Sequence, residues 1–188
     1  FVLTELDPNG RVVLERNETT NKTTTYSYDD SKNEATIGYP DGSRATYNLG
    51  EDGELGTEDD VLVSTEDPEG GASNYSFDFS ANQVTIQNQD GSLQIINLGK
   101  DTILGTADDL LVGVTDSAGA TTTYQYDLSK NEVTVANPDD TKVVFNLGED
   151  GKLGTADDIL KATVDETGAR TDYVTNAGAN EVLIKNPD

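Results

Sequence analysis

The sequence predicts an all-β protein, a tandem array of four antiparallel units of 49 residues with four strands each, laid out as an elongated β-repeat strip. Three observations predict it. NLGEDGELGTEDD from Asn48 to Asp60 returns as NLGKDTILGTADD from Asn97 and as NLGEDGKLGTADD from Asn146, each 49 residues on. Between these copies, turn-forming residues recur about every eight to twelve residues and no apolar stripe persists at helical spacing. Only 34% of the 188 residues are hydrophobic, thin for one compact core and better suited to an array. The same units closed into a ring would make a four-bladed propeller, the alternative arrangement for a blade of this length.

Residues 1–11 stand apart as an N-terminal strand, Phe1, Val2, Leu3, Thr4, Glu5 and Leu6, and a short turn from Asp7 to Gly10. The repeats then run 12–60, 61–109 and 110–158, with 159–188 lacking its last strand. Strand A follows each acidic loop, at Val61-Leu62-Val63, Leu110-Leu111-Val112 and Ile159-Leu160. A turn carrying Asp67 and Gly70, Asp116 and Gly119, or Asp165 and Gly168 reverses the chain, because Asp bonds its own backbone and Gly accepts a positive φ. Strand B alternates aromatics: Tyr26 and Tyr28, Tyr75 and Phe77, Tyr124 and Tyr126. A polar turn ends at the registered Asn33, Asn82, Asn131 or Asn180, and strand C alternates again through Val84 and Ile86, Val133 and Val135, or Val182 and Ile184. After a Pro-Asp-Gly turn at Pro40–Gly42 and its variants, strand D places Ala45, Tyr47 and Leu49, or Val143, Phe145 and Leu147, on one face. The Gly-Thr-x-Asp-Asp end of each loop resembles a capping box for a single helical turn, Thr57 with Asp60, Thr106 with Asp109 and Thr155 with Asp158.

The segment TTTYSYDDSKNEATIGYPDGSRATYNL, Thr23 to Leu49, and the run Tyr124-Gln125-Tyr126-Asp127 resemble the YD repeats of the bacterial RHS family. The match is weaker where Phe77 replaces the second Tyr, and the fourth copy departs at Thr175 and Asn176. The resemblance covers about half of each unit. It implies an extracellular β-strip and brings no catalytic residues with it. The encapsulating function of RHS shells, which needs many more repeats and a cargo, is not implied.

The two ends look complementary: the fourth copy stops at Asn186-Pro187-Asp188, where strand D should start, and Phe1–Leu6 looks like a spare strand. An unpaired edge needs a partner. The expectation is donation of Phe1–Leu6 to the fourth copy of the next molecule, giving head-to-tail filaments of a structural protein. A chain that starts at Phe1 and contains no methionine reads as processed, so secretion or cell-surface display is expected.

Thirty-six acidic residues against 12 basic ones leave a net charge of −24, which disfavours nucleic acid and anionic membranes and favours cations. No apolar run is long enough to insert in a membrane. Each loop supplies one early Asp and a later pair: Asp52, Asp59 and Asp60; Asp101, Asp108 and Asp109; Asp150, Asp157 and Asp158. Calcium wants six to eight hard oxygens, and Gly-rich loops with converging carboxylates can provide them, so these residues are the expected Ca²⁺ ligands. The loop with Lys100 and Thr102 is expected to bind worst. The alternative is that the same aspartates serve the turns of the loop itself. Asn17, Asn21 and Asn74 lie in Asn-x-Ser/Thr sequons and are candidate glycosylation sites. With neither histidine nor cysteine, and with acids that repeat instead of converging, no enzyme is expected. The second functional class is a calcium-dependent adhesin or glycan-binding propeller.

Overall fold

In a computed structural model that describes residues 1–176 and 181–187, the chain forms sixteen β-strands and, among the described residues, no helix. They are β1 (Val2–Leu6), β2 (Val12–Asn17), β3 (Lys22–Asp29), β4 (Glu34–Gly38), β5 (Arg44–Asn48), β6 (Val61–Glu66), β7 (Ala72–Asp78), β8 (Gln83–Asn88), β9 (Leu93–Asn97), β10 (Leu110–Thr115), β11 (Thr121–Asp127), β12 (Glu132–Ala136), β13 (Lys142–Asn146), β14 (Ile159–Val164), β15 (Arg170–Asn176) and β16 (Glu181–Lys185). The strands follow one another in sequence order in a 16-stranded antiparallel sheet. Asn180 and Asp188, singled out in the sequence, lie outside the described residues.

Two compact units divide the chain, residues 1–80 with 84–91, and 81–83 with 92–188. In the first, β1 to β7 form a meander of hairpins. The β3–β4 ladder pairs Tyr26 with Ile37 and Tyr28 with Ala35, and the β4–β5 ladder pairs Ala35 with Tyr47 and Ile37 with Ala45. Paired residues share a face, so the alternating tyrosines of β3 and the apolar positions of β4 and β5 lie together. In the second, Tyr126 pairs with Val133, which pairs with Phe145.

The ring alternative is overturned. The ladders β5–β6 and β13–β14 carry main-chain pairing across the boundary from one repeat to the next, whereas propeller blades are separate sheets. The sheet is open, with β1 and β16 as its end strands.

Where strand D meets the following strand A, the register slips past one residue: Val63 in β6, Val112 in β10 and Lys161 in β14. Such a bulge adds twist where the chain re-enters the sheet from the acidic loop. The hairpin of β1 and β2 reproduces this arrangement, with Val2 opposite Asn17 and Leu6 opposite Val12, its bulge at Val13, one repeat position earlier. Its short loop copies the strand A to B turn instead: Asp7 N–H donates to Arg11 O and Gly10 N–H to Asp7 O, as Asp67 and Gly70 do with Gly71 and Asp67.

Among the described residues the buried hydrophobic side chains are few: Ala35, Ala45, Leu49, Val84, Leu98, Val133, Val144, Leu147 and Ala162. One expectation is corrected here. Leu49 and Leu147 follow β5 and β13 instead of belonging to them, because the chain turns into the acidic loop at the preceding Asn. In the third repeat Val144, opposite Ala162, is buried on the other face from Val143 and Phe145. Both faces of a single-layer sheet can bury a residue where neighbouring strands supply small partners.

Candidate functional site: the acidic loops

Each acidic loop is pinned at its entrance by an asparagine from the turn that joins strands B and C of its repeat. Asn33, Asn82 and Asn131 adopt φ of 57°, 53° and 55°, a left-handed conformation Asn tolerates better than most residues. That geometry lets the Asn33 carbonyl accept Leu49 N–H at 2.9 Å while its Nδ2 donates to Gly50 O at 2.7 Å. Asn82 repeats the side-chain bond with Gly99 at 2.6 Å, and Asn131 with Gly148 at 2.6 Å. Leu49, Leu98 and Leu147, between the strand and the pinned glycine, are 3%, 0% and 1% exposed, so each loop is anchored by a fully covered leucine. The sequence signals were present in the registered Asn and in the invariant Asn-Leu-Gly, but only the structure shows that they act on each other.

The nine aspartates expected to bind metal fold the loop itself. Asp59 Oδ2 accepts the backbone N–H of Glu51 at 2.6 Å, and its Oδ1 accepts the Thr57 hydroxyl at 2.7 Å. Asp52 Oδ1 accepts Glu54 N–H at 2.8 Å. Asp60 Oδ2 accepts Gly56 N–H at 2.6 Å and Thr57 N–H at 3.1 Å. The second loop repeats this with Asp108 on Lys100 N–H, Asp101 on Ile103 N–H and Asp109 on Gly105 N–H. In the third, Asp157, Asp150 and Asp158 take Glu149, Lys152 and Gly154. The expected helical turn is absent. Half of the capping box forms, Asp60 reaching back to Thr57 N–H, but the Thr57 hydroxyl turns to Asp59 and to Glu54 O at 3.1 Å. Among the described residues, no three acidic side chains converge on a point that could hold a metal ion. One oxygen in each loop, Oδ1 of Asp60, Asp109 and Asp158, is buried with no hydrogen-bond partner.

These bonds shift the carboxyl groups. The Thr57 hydroxyl first, then the Glu51 N–H, holds Asp59 below its ordinary range, and Thr155 does the same for Asp157. For Asp108 the Lys100 N–H leads. Groups whose folded pKa is depressed contribute stability above the unfolded value of 3.8, and that contribution is lost as pH falls through the folded value. Asp127, lowered to about 2 chiefly by its bond to Lys130, sets the low end of the window. The melting temperature should therefore hold from neutral pH to about 4.5 and fall between there and pH 2, which circular dichroism melts across that range would check.

Thr102 differs from its counterparts. It sits at φ 62° where the other loops have Gly53 at 69° and Gly151 at 67°. A β-branched residue is strained there, so Thr102→Gly should stabilise the second loop by about 1 kcal/mol or more, read as a rise in its amide protection.

The remaining candidate residues lie apart from the loops. Phe1 is 87% exposed beside β1, and its carbonyl accepts Glu18 N–H. Asn17, Asn21 and Asn74 are all exposed. Asn17 Oδ1 accepts Thr19 and Thr20 N–H, and Asn74 stands within β7.

Comparisons with known proteins bear on one stretch of the array. The RHS repeat family pattern matches residues 106–142, which run from the second acidic loop through β10, β11 and β12 to the start of β13. The chain is thus similar to an RHS-type repeat over that span. No curated protein matches the chain. Among solved structures, the G-box domain of the microcephaly protein CPAP, for which a role in centriole elongation is suggested, is similar over 100% of both chains at 13% identity and a TM-score of 0.40. A protein of unknown function from Bacteroides fragilis is similar over 100% of this chain and 89% of its own at 11% identity and a TM-score of 0.17.

Proposed function

We propose that this chain is a structural repeat element of an extracellular or cell-surface protein, whose sheet grows head to tail into a filament by edge-strand addition, with calcium in the acidic loops stiffening it. The RHS-type match and the tandem antiparallel sheet support a structural repeat protein, and repeats of this type are typical of secreted and surface proteins. The observation that carries the assembly is main-chain pairing from one repeat to the next, in the ladders β5–β6 and β13–β14, which a repeat of another copy would continue. In the third repeat, β13 lies on the outer edge of β12 and pairs Phe145 with Val133. A strand added to β16 would cover Val182 in the same way. β1, which meets β2 much as β13 meets β14, is a strand of that type at the other end of the sheet.

The orphan oxygens of Asp60, Asp109 and Asp158 and the −24 charge supply the calcium half of the reading. Cation binding would relieve repulsion between the loops and would require their carboxylates to exchange some N–H donors for metal.

Light scattering over a concentration series tests the assembly, with Val182→Lys/Ile184→Lys as the blocked edge. The unmodified chain should grow into multimers seen as filaments by negative stain, and the variant should stay at one chain with the same circular dichroism. A single-chain mass at every concentration for the unmodified protein ends the filament reading. Melting temperatures unchanged by calcium or chelator end the calcium reading alone.

A further inference from the structure

The first repeat carries a groove that the assembly does not use. It is about 640 Å³ and is bounded by the face of β2 to β5 and the tip of the first acidic loop. Tyr26, Tyr28 and Tyr47 line it together with Leu55, and two carboxylates, Glu15 and Asp60, stand in its wall. All of these residues lie in the first compact unit. The other repeats do not reproduce this set: Tyr47 is replaced by Ile96 and Phe145, and Glu15 by Ser64, Gly113 and Ala162.

From this combination we propose that the groove binds a cationic side chain, the ammonium of a lysine in a basic polypeptide segment. Aromatic faces attract cations, and the attraction grows when carboxylates share a partly dry site. The groove already shows what its rings accept. Arg11 lies over the Tyr28 ring, 4.2 Å from its centroid. That guanidinium is matched by Asp7 at 2.9 Å and Asp30 at 2.6 Å and so is not paired with Glu15, while the Asp60 carboxylate at the groove wall is held by the Gly56 and Thr57 N–H groups. Glu15 accepts a neutral donor, the Tyr26 hydroxyl at 2.9 Å. The surroundings agree with a negative, partly buried site: burial first and the Glu15 bond second push the Tyr26 hydroxyl up to about 12. Burial first and then Tyr39 raise the Tyr47 hydroxyl, with Asp60 adding less. A volume of this size holds a long side chain with its flanking peptide groups, and the charge of the chain draws such segments toward it.

A neutral sugar could also rest on tyrosine rings, so the test has an arm for it. Two-dimensional NMR titrations of the full chain would use N-acetyl-lysine methylamide, its trimethylated form, and cellobiose. The two cations should shift amides of β2, β3, β5 and the first loop with saturation at about millimolar concentration, and cellobiose should not. Glu15→Ser/Tyr47→Ile, which installs the residues that the second repeat holds at these positions, should weaken both cations about tenfold with an unchanged far-ultraviolet spectrum. Shifts spread evenly over all three acidic loops and insensitive to the double variant would overturn the proposal. So would cellobiose binding alone, or no saturable shift. None of these outcomes touches the edge-strand assembly, which is read by mass.

Discussion

Gly50→Ala should cost about 3 kcal/mol or more and melt the first acidic loop, as the equivalent changes at Gly99 and Gly148 should melt theirs. Gly50 sits at φ +60°, where a non-glycine residue costs about 1–2 kcal/mol by itself. A Cβ there would also stand 2.7 Å from the Asp59 carbonyl oxygen and closer still to the Asp59 carboxylate. That carboxylate cannot simply swing away, because it holds Glu51 N–H and the Thr57 hydroxyl, and releasing it would leave the loop donors unsatisfied. Gly53→Ala is the control. It has a similar φ of +69°, but its Cβ would meet nothing nearer than Asn33 Oδ1 at 3.7 Å, so only the backbone term of about 1 kcal/mol remains. Hydrogen exchange should show protection lost in residues 48–60 for the first variant and a small, local change for the second. Equal effects would mean that the carboxylate seat is not what the glycine protects.

The contrast explains which parts of the molecule were legible in the sequence. Strands carry their signature in single side chains: Tyr26 and Tyr28 alternate, Val84 and Ile86 alternate, and each pattern fixes a face without reference to any distant residue. The 49-residue period then copies that reading along the chain. The loops carry theirs in relations between residues. Nothing local says that Asn33 will reach Gly50, 17 positions on, or that the Thr57 hydroxyl will prefer Asp59 and Glu54 O to the end of a helix. Carboxylates and glycines are what a calcium loop needs, so the acidic composition suits metal. The structure shows the same atoms folding the loop: backbone N–H groups in a tight polar turn must be satisfied, and an aspartate two to eight residues away can do it. The ring was tempting for the blade length. It failed on main-chain pairing across repeat boundaries, which residue patterning cannot reveal.

The loops and the strands meet at one residue per repeat, and Leu147→Ala puts that junction to the test. Leu147 is 1% exposed in a protein with very little buried apolar surface, and both of its backbone groups are committed: its N–H donates to Asn131 O at 2.9 Å and its carbonyl accepts Gly151 N–H at 3.2 Å. A backbone held on both sides cannot follow the shortened side chain inward, so the cavity should stay open, and the loss should fall in the range of about 2–5 kcal/mol seen for buried Leu→Ala changes. In an array stabilised by nearest-neighbour terms, that loss should be felt first where the leucine acts. Amides of the third loop and of β12 to β14 should exchange faster, while β1 to β5 keep their protection. Val182→Ala supplies the comparison, since a side chain already 56% exposed has little burial to lose and should change stability by about 0.5 kcal/mol or less in a single chain. If the two variants were equally damaging, the buried leucine could not be what ties each acidic loop to its sheet.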